Sequence, residues 1–175
     1  MHATLTRLTT ATLLLGLSGC VALGGAVPTA DVALVARSGS AVTGTLTFTE
    51  GSAGVRLRGE VRGLKAGAEH GFHIHEKGDC SAPDATSAGG HFNPGGTAHG
   101  RHGAGAHHAG DLPSLVADAN GVAKVDALIA GITLLPGTTS ATGRSVIVHR
   151  DPDDYVTQPT GNSGPRIACG VLVLR

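Results

Sequence analysis

The sequence predicts an all-β domain, a Greek-key β-sandwich or flattened barrel with two long functional loops. Three observations lead there. Short apolar runs alternate with polar residues at a period of two, no stretch offers an amphipathic helix of three turns, and 28 glycines are spread without a three-residue period. Alternation at that period marks strands with one buried face. Dispersed glycines supply turns and close backbone approaches rather than a collagen repeat. A length of 175 residues suits one domain with a sizeable core. Thirteen Lys and Arg balance thirteen Asp and Glu, and aromatics make up 2%. With neither a bulk positive field nor aromatic platforms, nucleic acid is excluded as a partner.

The N-terminal segment reads as a targeting signal over residues 1–19. "MHATLTR" carries Arg7, and the apolar run in "LTTATLLLGL" is too short to span a bilayer stably. The run ends at "LSGC", residues 17–20, which resembles a bacterial lipoprotein signal. That resemblance implies a mature chain beginning at an acylated Cys20, held at a membrane surface of the bacterial cell envelope by lipid rather than by a helix. An ordinary secretory signal, with Cys20 incidental, is the alternative. "VALGGAVPTA" reads as a flexible tether, so residues 20–39 are expected to link the anchor to a domain over 40–175. With Cys20 acylated, only Cys80 and Cys169 remain. An even pair in an exported domain implies a disulfide, with a stabilisation of about 2–4 kcal/mol.

Along the domain, "AVTGTLTFTE" has strand character. In "VRLRGEVRG", Val55, Leu57, Gly59 and Val61 fall on one face, and Arg56, Arg58, Glu60 and Arg62 on the other. That is the pattern of a half-buried antiparallel strand. "LKAGAE" reads as a turn leading into "HGFHIHE". There His73 and His75 point one way and Ile74 the other, so an apolar residue enters the core while two imidazoles meet one external site. Two surface histidines on a half-exposed strand are the plainer reading. "PSLVADANGVAKVDAL" reads as two short strands around an Asn120-Gly121 turn, and "RSVIVHR" and "IACGVLVLR" supply two more. Residues 78 to about 112 form the first long loop, and "DPDDYVTQPTGNSGPR" the second. A structureless loop as long as the first is uncommon in a compact domain. Metal ligands and a disulfide would offset its ordering entropy.

Nine histidines remain once His2 leaves with the signal, and nearly all lie in or beside the first loop. His149 ends an apolar strand in "HRDPDD", and Asp111 follows His108 by three residues. Imidazoles with a carboxylate suit zinc or copper, whereas hard cations want mostly oxygen. Six or more clustered imidazoles exceed one tetrahedral ion, so two metals are expected. A His-rich scavenging loop without a defined site is the alternative. Against it, His73, His75 and His149 lie on strands, where the scaffold fixes them.

"GFHIHE", "GGHFNPGGTAHG", "HAGDLP", "HRDPDD" and "TGNSGPRIACGV" occur in this order. On them, roughly residues 40–175 resemble a copper/zinc superoxide dismutase of the exported bacterial kind. The resemblance implies copper ligands His73, His75, His91 and His149, and zinc ligands His91, His99, His108 and Asp111. His91 belongs to both sets, which an imidazole that has lost both ring protons permits. Asp153 would accept hydrogen bonds from His73 and His99. Arg166 would attract and orient superoxide and can tether its own turn as well. Thr160 would help frame the entrance, and a Cys80–Cys169 bridge would pin the first loop near Arg166. Copper would cycle between two redox states while zinc holds His91. His70, His102 and His107 are read as surface residues or weak ligands. The second loop lacks the lysine- and glutamate-rich stretch that guides anions in the animal enzymes. Two rival classes are a noncatalytic metal-binding module, which would lose His91 or Arg166, and a structural envelope protein with incidental histidines. The oligomeric state stays open.

Overall fold

The computed structural model describes residues 25–175. The expected signal segment and Cys20 lie outside the described residues. Ten strands follow in order: β1 (Thr29–Ala36), β2 (Thr43–Thr49), β3 (Val55–Arg62), β4 (Glu69–His70), β5 (Phe72–His75), β6 (Leu115–Val116), β7 (Ala123–Ile129), β8 (Ser145–His149), β9 (Arg166–Val171) and β10 (Val173–Leu174). Among the described residues the only helical element is a 3-10 turn at Thr86–Ala88. The large sheet is antiparallel and runs β5-β8-β9-β1-β2-β3-β7, with β10 also paired to β1; β4 and β6 form a separate two-stranded ribbon. The sheet curls into a half-barrel, whose inner face carries Leu46, Phe48, Leu57, Ile74, Val146 and Val148 in one apolar core.

β3 follows its alternation. Val55, Leu57 and Val61 are fully buried, while Arg58 and Arg62 face solvent. Two expectations are corrected. Residues 20–39 are not all tether, because Thr29–Ala36 is β1, with Ala30, Val32 and Leu34 in the core. Its side chains are small and its propensity weak, but it is zipped on both edges. β2 pairs with it from Thr29↔Thr49 to Leu34↔Gly44, and β9 and β10 share one register along the other side, Val35↔Cys169 and Ala30↔Leu174. Ladder bonds on two edges supply what local sequence does not. The second correction concerns the Asn120-Gly121 turn. Gly121 N–H donates to the Asp118 carbonyl at 3.0 Å, but the flanking strands do not pair with each other; β6 joins β4 and β7 joins β3.

Candidate metal centre

β5 and β8 pair with Phe72 opposite Val148 and Ile74 opposite Val146. These four fill the core, so the alternate positions His73 and His75 project from the outer face. His149 ends β8 on that same face, at an irregularity in the β8–β9 ladder. The first loop covers this face. Ala85 and Ala88 pack on Ile147 and Cys169, with Cys80 against them, as a second small core. The Cys80–Cys169 disulfide fastens this cover to β9. Both ends of the loop also close on β5 through a ring of backbone hydrogen bonds. Phe92 N–H donates to Ile74 O at 2.9 Å, Gly110 N–H to Phe92 O at 2.8 Å, and Ile74 N–H to Gly110 O at 2.8 Å. A Cβ on Gly110 would stand 2.3 Å from the Ile74 carbonyl, so only glycine permits the approach. The ring sets His75 against His91 and His73 against Asp111.

Two groups of donors result. His73, His75, His91 and His149 form the first, and His91, His99, His108 and Asp111 the second; within each, the candidate ligand atoms lie within 4.8 Å of one another, and all seven residues are buried. In the first group, His73 Nδ1 and the Nε2 atoms of His75, His91 and His149 are buried with no hydrogen-bond partner. Buried polar atoms are nearly always paired. Four orphaned nitrogens converging on one space therefore fit a cation and little else. In the second group, Asp111 Oδ1 stands 2.9 Å from His91 Nδ1, 3.0 Å from His99 Nδ1 and 3.4 Å from His108 Nδ1. Donors bound to one tetrahedral zinc stand about 3.3 Å apart, so this cluster has the dimensions of a zinc shell.

Other hydrogen bonds fix which ring nitrogen is free. His75 Nδ1–H donates to the Gly89 carbonyl at 2.9 Å, and His149 Nδ1–H to the Gly164 carbonyl at 3.0 Å. His73 Nε2–H donates to Asp153 Oδ2 at 2.7 Å, and His99 Nε2–H to Asp153 Oδ1 at 2.9 Å. In each neutral ring the opposite nitrogen keeps a lone pair for the group. Burial, above all, holds His73, His75, His108 and His149 neutral. It lowers the pKa of His73, His75 and His108, and that of His149 to about 4. Burial pushes the Asp111 carboxyl up, but hydrogen bonds from His91 and from the His108 and Gly100 amides outweigh it and hold the group well below the usual carboxylate range.

Arg166 starts β9 and donates from its two Nη atoms to the Ala85 and Gly89 carbonyls, at 2.6 and 2.7 Å. The Gly89 carbonyl thus serves Arg166 and His75 together. Thr160 lies half-buried in the second loop, where its carbonyl accepts from Ser163 Oγ; it belongs to neither donor group. His70 is buried and donates from Nδ1 to the His149 carbonyl at 2.9 Å, so it supports the main chain of a group member and is not a surface residue. Sequence reasoning missed Gln158, which grips His99 at both ends of its peptide: Oε1 accepts from His99 N–H at 2.8 Å and Nε2 donates to His99 O at 3.0 Å. It also missed the Gly89 and Gly164 carbonyls, since a main-chain acceptor leaves no residue type to read. A pocket of about 700 Å³ among the described residues is lined by none of the seven donors. The chemistry follows the donor clusters, not the void.

A family profile described as copper/zinc superoxide dismutase matches residues 42–172. The chain is 41% identical over 185 residues to a Cu-Zn superoxide dismutase of Deinococcus radiodurans, covering 98% of each chain. It is 41% identical over 135 residues to a Cu-Zn superoxide dismutase of Aquifex aeolicus, covering 75% of this chain and 79% of the relative. Among solved structures, a double mutant of a SOD-like protein from Bacillus subtilis superposes with a TM-score of 0.75 at 43% identity, over 82% of this chain and 96% of that one.

Proposed function

The chain belongs to the copper/zinc superoxide dismutase family, and from that premise we propose how its residues divide the work. The reaction turns two superoxide anions and two protons into dioxygen and hydrogen peroxide, with copper and zinc as the metals. In our reading copper is held by His73, His75, His91 and His149, and zinc by His91, His99, His108 and Asp111. The observation that carries this division is the set of four unpartnered buried nitrogens in the first group, with the other nitrogen of His91 standing in the second. Bound copper supplies a one-electron redox couple, which zinc lacks. Everything else falls to the protein. Arg166 gives two N–H groups to carbonyls and keeps the rest of its fork for an anion, so it both fixes the loop and orients superoxide. His91 Nε2, which has no protein partner, would carry a proton to the outgoing peroxide whenever its lone pair is not engaged by the metal. Asp153 holds one ring of each group in its tautomer. Thr160 frames the entrance from the second loop. Burial of the donor rings keeps water from competing for their lone pairs.

Elemental analysis of the purified chain, after loading with both metals, should find one copper and one zinc, with superoxide removal dependent on copper. Saturation at a single metal ion, without copper-dependent activity, would sink this reading.

We propose further that residues 1–19 are removed and Cys20 carries lipid, so that the enzyme sits in the bacterial cell envelope, periplasmic or otherwise outside the cytoplasm. The "LSGC" box at the end of a short apolar run supports this. Mass spectrometry should find an acylated N-terminal Cys20 on membrane-associated protein. A Cys20→Ser chain that matures and fractionates like the parent would count decisively against it.

A further inference from the structure

Two histidines of the first loop lie outside both donor groups. His102 and His107 are separated by "GAGA", and Gly103 and Gly105 both adopt φ of 75°. That left-handed backbone suits glycine and reverses the chain within a few residues. The reversal is held at its base. Thr97 Oγ1–H donates to the His107 carbonyl, and Gly100 packs on the Ala106 carbonyl, where a Cβ would be 2.3 Å away. The two imidazoles meet across the turn with ring centroids 5.1 Å apart.

That separation lets both rings reach one ion. Two imidazoles bound through Nε2 to one tetrahedral ion stand about 5 Å apart, centroid to centroid. In the buried group built around Asp111, the pairs His91–His99, His91–His108 and His99–His108 are 5.3, 5.4 and 5.5 Å apart. The tautomers agree as well. His102 Nδ1–H donates to the Asp111 carbonyl at 3.0 Å, and His107 Nδ1–H to the His108 carbonyl at 2.8 Å. Each neutral ring therefore keeps its Nε2 lone pair, with a backbone acceptor in the outer position that orients metal-bound histidines. Both residues are half-exposed, so an ion can reach them and complete its shell with water. The adjacent cation, Arg101, is stacked over the Tyr155 ring at 3.8 Å.

We propose that His102 and His107 form a third metal site, a solvent-facing bidentate pair for a divalent ion that favours imidazole, such as Zn²⁺, Cu²⁺ or Ni²⁺. It is separate from the buried groups, but it grips the main chain of two of their members, Asp111 and His108.

The test uses the full chain already loaded with copper and zinc, dialysed against added Zn²⁺. The parent should retain one further zinc. The His102→Asn/His107→Asn protein, whose side-chain amides can still donate to the Asp111 and His108 carbonyls, should keep its first two metals and lose the extra ion. Each single substitution should weaken that ion about a hundredfold, because a chelating pair becomes a single donor. Imidazole ¹⁵N spectra of the parent should show only the His102 and His107 rings shifting as the extra zinc binds, a readout that holds even if the double variant folds poorly. Absence of a further zinc in the parent overturns the proposal. So does its retention by the folded double variant, or its binding with neither ring shifted.

Discussion

Asp153 receives His73 Nε2–H on one carboxylate oxygen and His99 Nε2–H on the other. Asp153→Ala should therefore loosen both metals, by about 10–100-fold in affinity, read by competition with a chelator. Gly161 tests the same junction sterically. It has φ of 65°, and a Cβ there would meet Asp153 Oδ1 and His99 Nε2. Gly161→Ala should mimic the Asp153 change in zinc retention; a variant holding zinc like the parent would show that the second loop can yield. Arg166 separates charge from geometry. Arg166→Lys keeps the charge and loses the planar fork, and Arg166→Glu reverses the charge. Activity should fall in the order Arg, Lys, Glu, with both metals retained. A metal-loaded Glu variant as fast as the parent would leave Arg166 only its carbonyl contacts. Histidine burial has a pH signature in the metal-free protein. The folded pKa of His149, about 4, lies below the ordinary value of 6.5, so between those values the unfolded chain binds the extra proton. Stability is unaffected above about pH 6.5 and falls through the window below it, by up to about 1.4 kcal/mol per pH unit for each such ring. Burial lowers His73 and His75 in the same direction. The urea midpoint of the metal-free protein should thus be lower at pH 5 than at pH 7.

At the scale of elements, the first loop is structured by what it covers. It has a single 3-10 turn, but a small apolar core, a three-bond backbone ring and a disulfide hold it to the outer face. Cys80 and Cys169 are 89 positions apart. Closing a loop of that length restricts the unfolded chain by about 4–5 kcal/mol in the entropic account. Replacing both with Ser should cost stability of that order in denaturant titration. Activity should fall too, because Cys80 lies in the cover whose Ala85 and Gly89 carbonyls hold Arg166. The parts legible in sequence were those with a period or a rare residue type. β3 and β5 announced themselves through alternation, and clustered histidines announced metal binding, while their division into two groups came from the family resemblance. β1 was not legible, because "TADVALVA" owes its order to neighbours on both edges. The partners of β6 and β7 were hidden for a related reason. A turn signal marks where the chain reverses, but not which distant strand it meets. Gln158 and the glycine carbonyls carry no motif, and only the fold reveals what they hold.

Over the whole molecule, acidic and basic residues balance, 13 against 13. On the proposed role of Arg166, attraction of superoxide would rest on local charge and not on a global field. Rising salt should slow the parent, as screening acts over about 10 Å at 0.1 M, while Arg166→Glu should lose that inhibition or reverse it. Removing both metals should lower the melting temperature, since bound ligand stabilises the folded state by mass action and its loss leaves four buried nitrogens unsatisfied. Restoring copper and zinc should recover it. The early start of β1 has a further consequence. Arg175 N–H donates to the Thr29 carbonyl at 2.9 Å, so the chain enters and leaves the fold at one spot. With a lipid on Cys20, residues 20–28 would span at most about 30 Å when drawn taut, where a tether to residue 39 would give about 65 Å. Such a short mooring, if Cys20 carries the proposed lipid, would confine the enzyme to a layer about one molecule deep above the membrane. It would then act as a sentry for radicals emerging at that surface, not as a scavenger roaming the compartment.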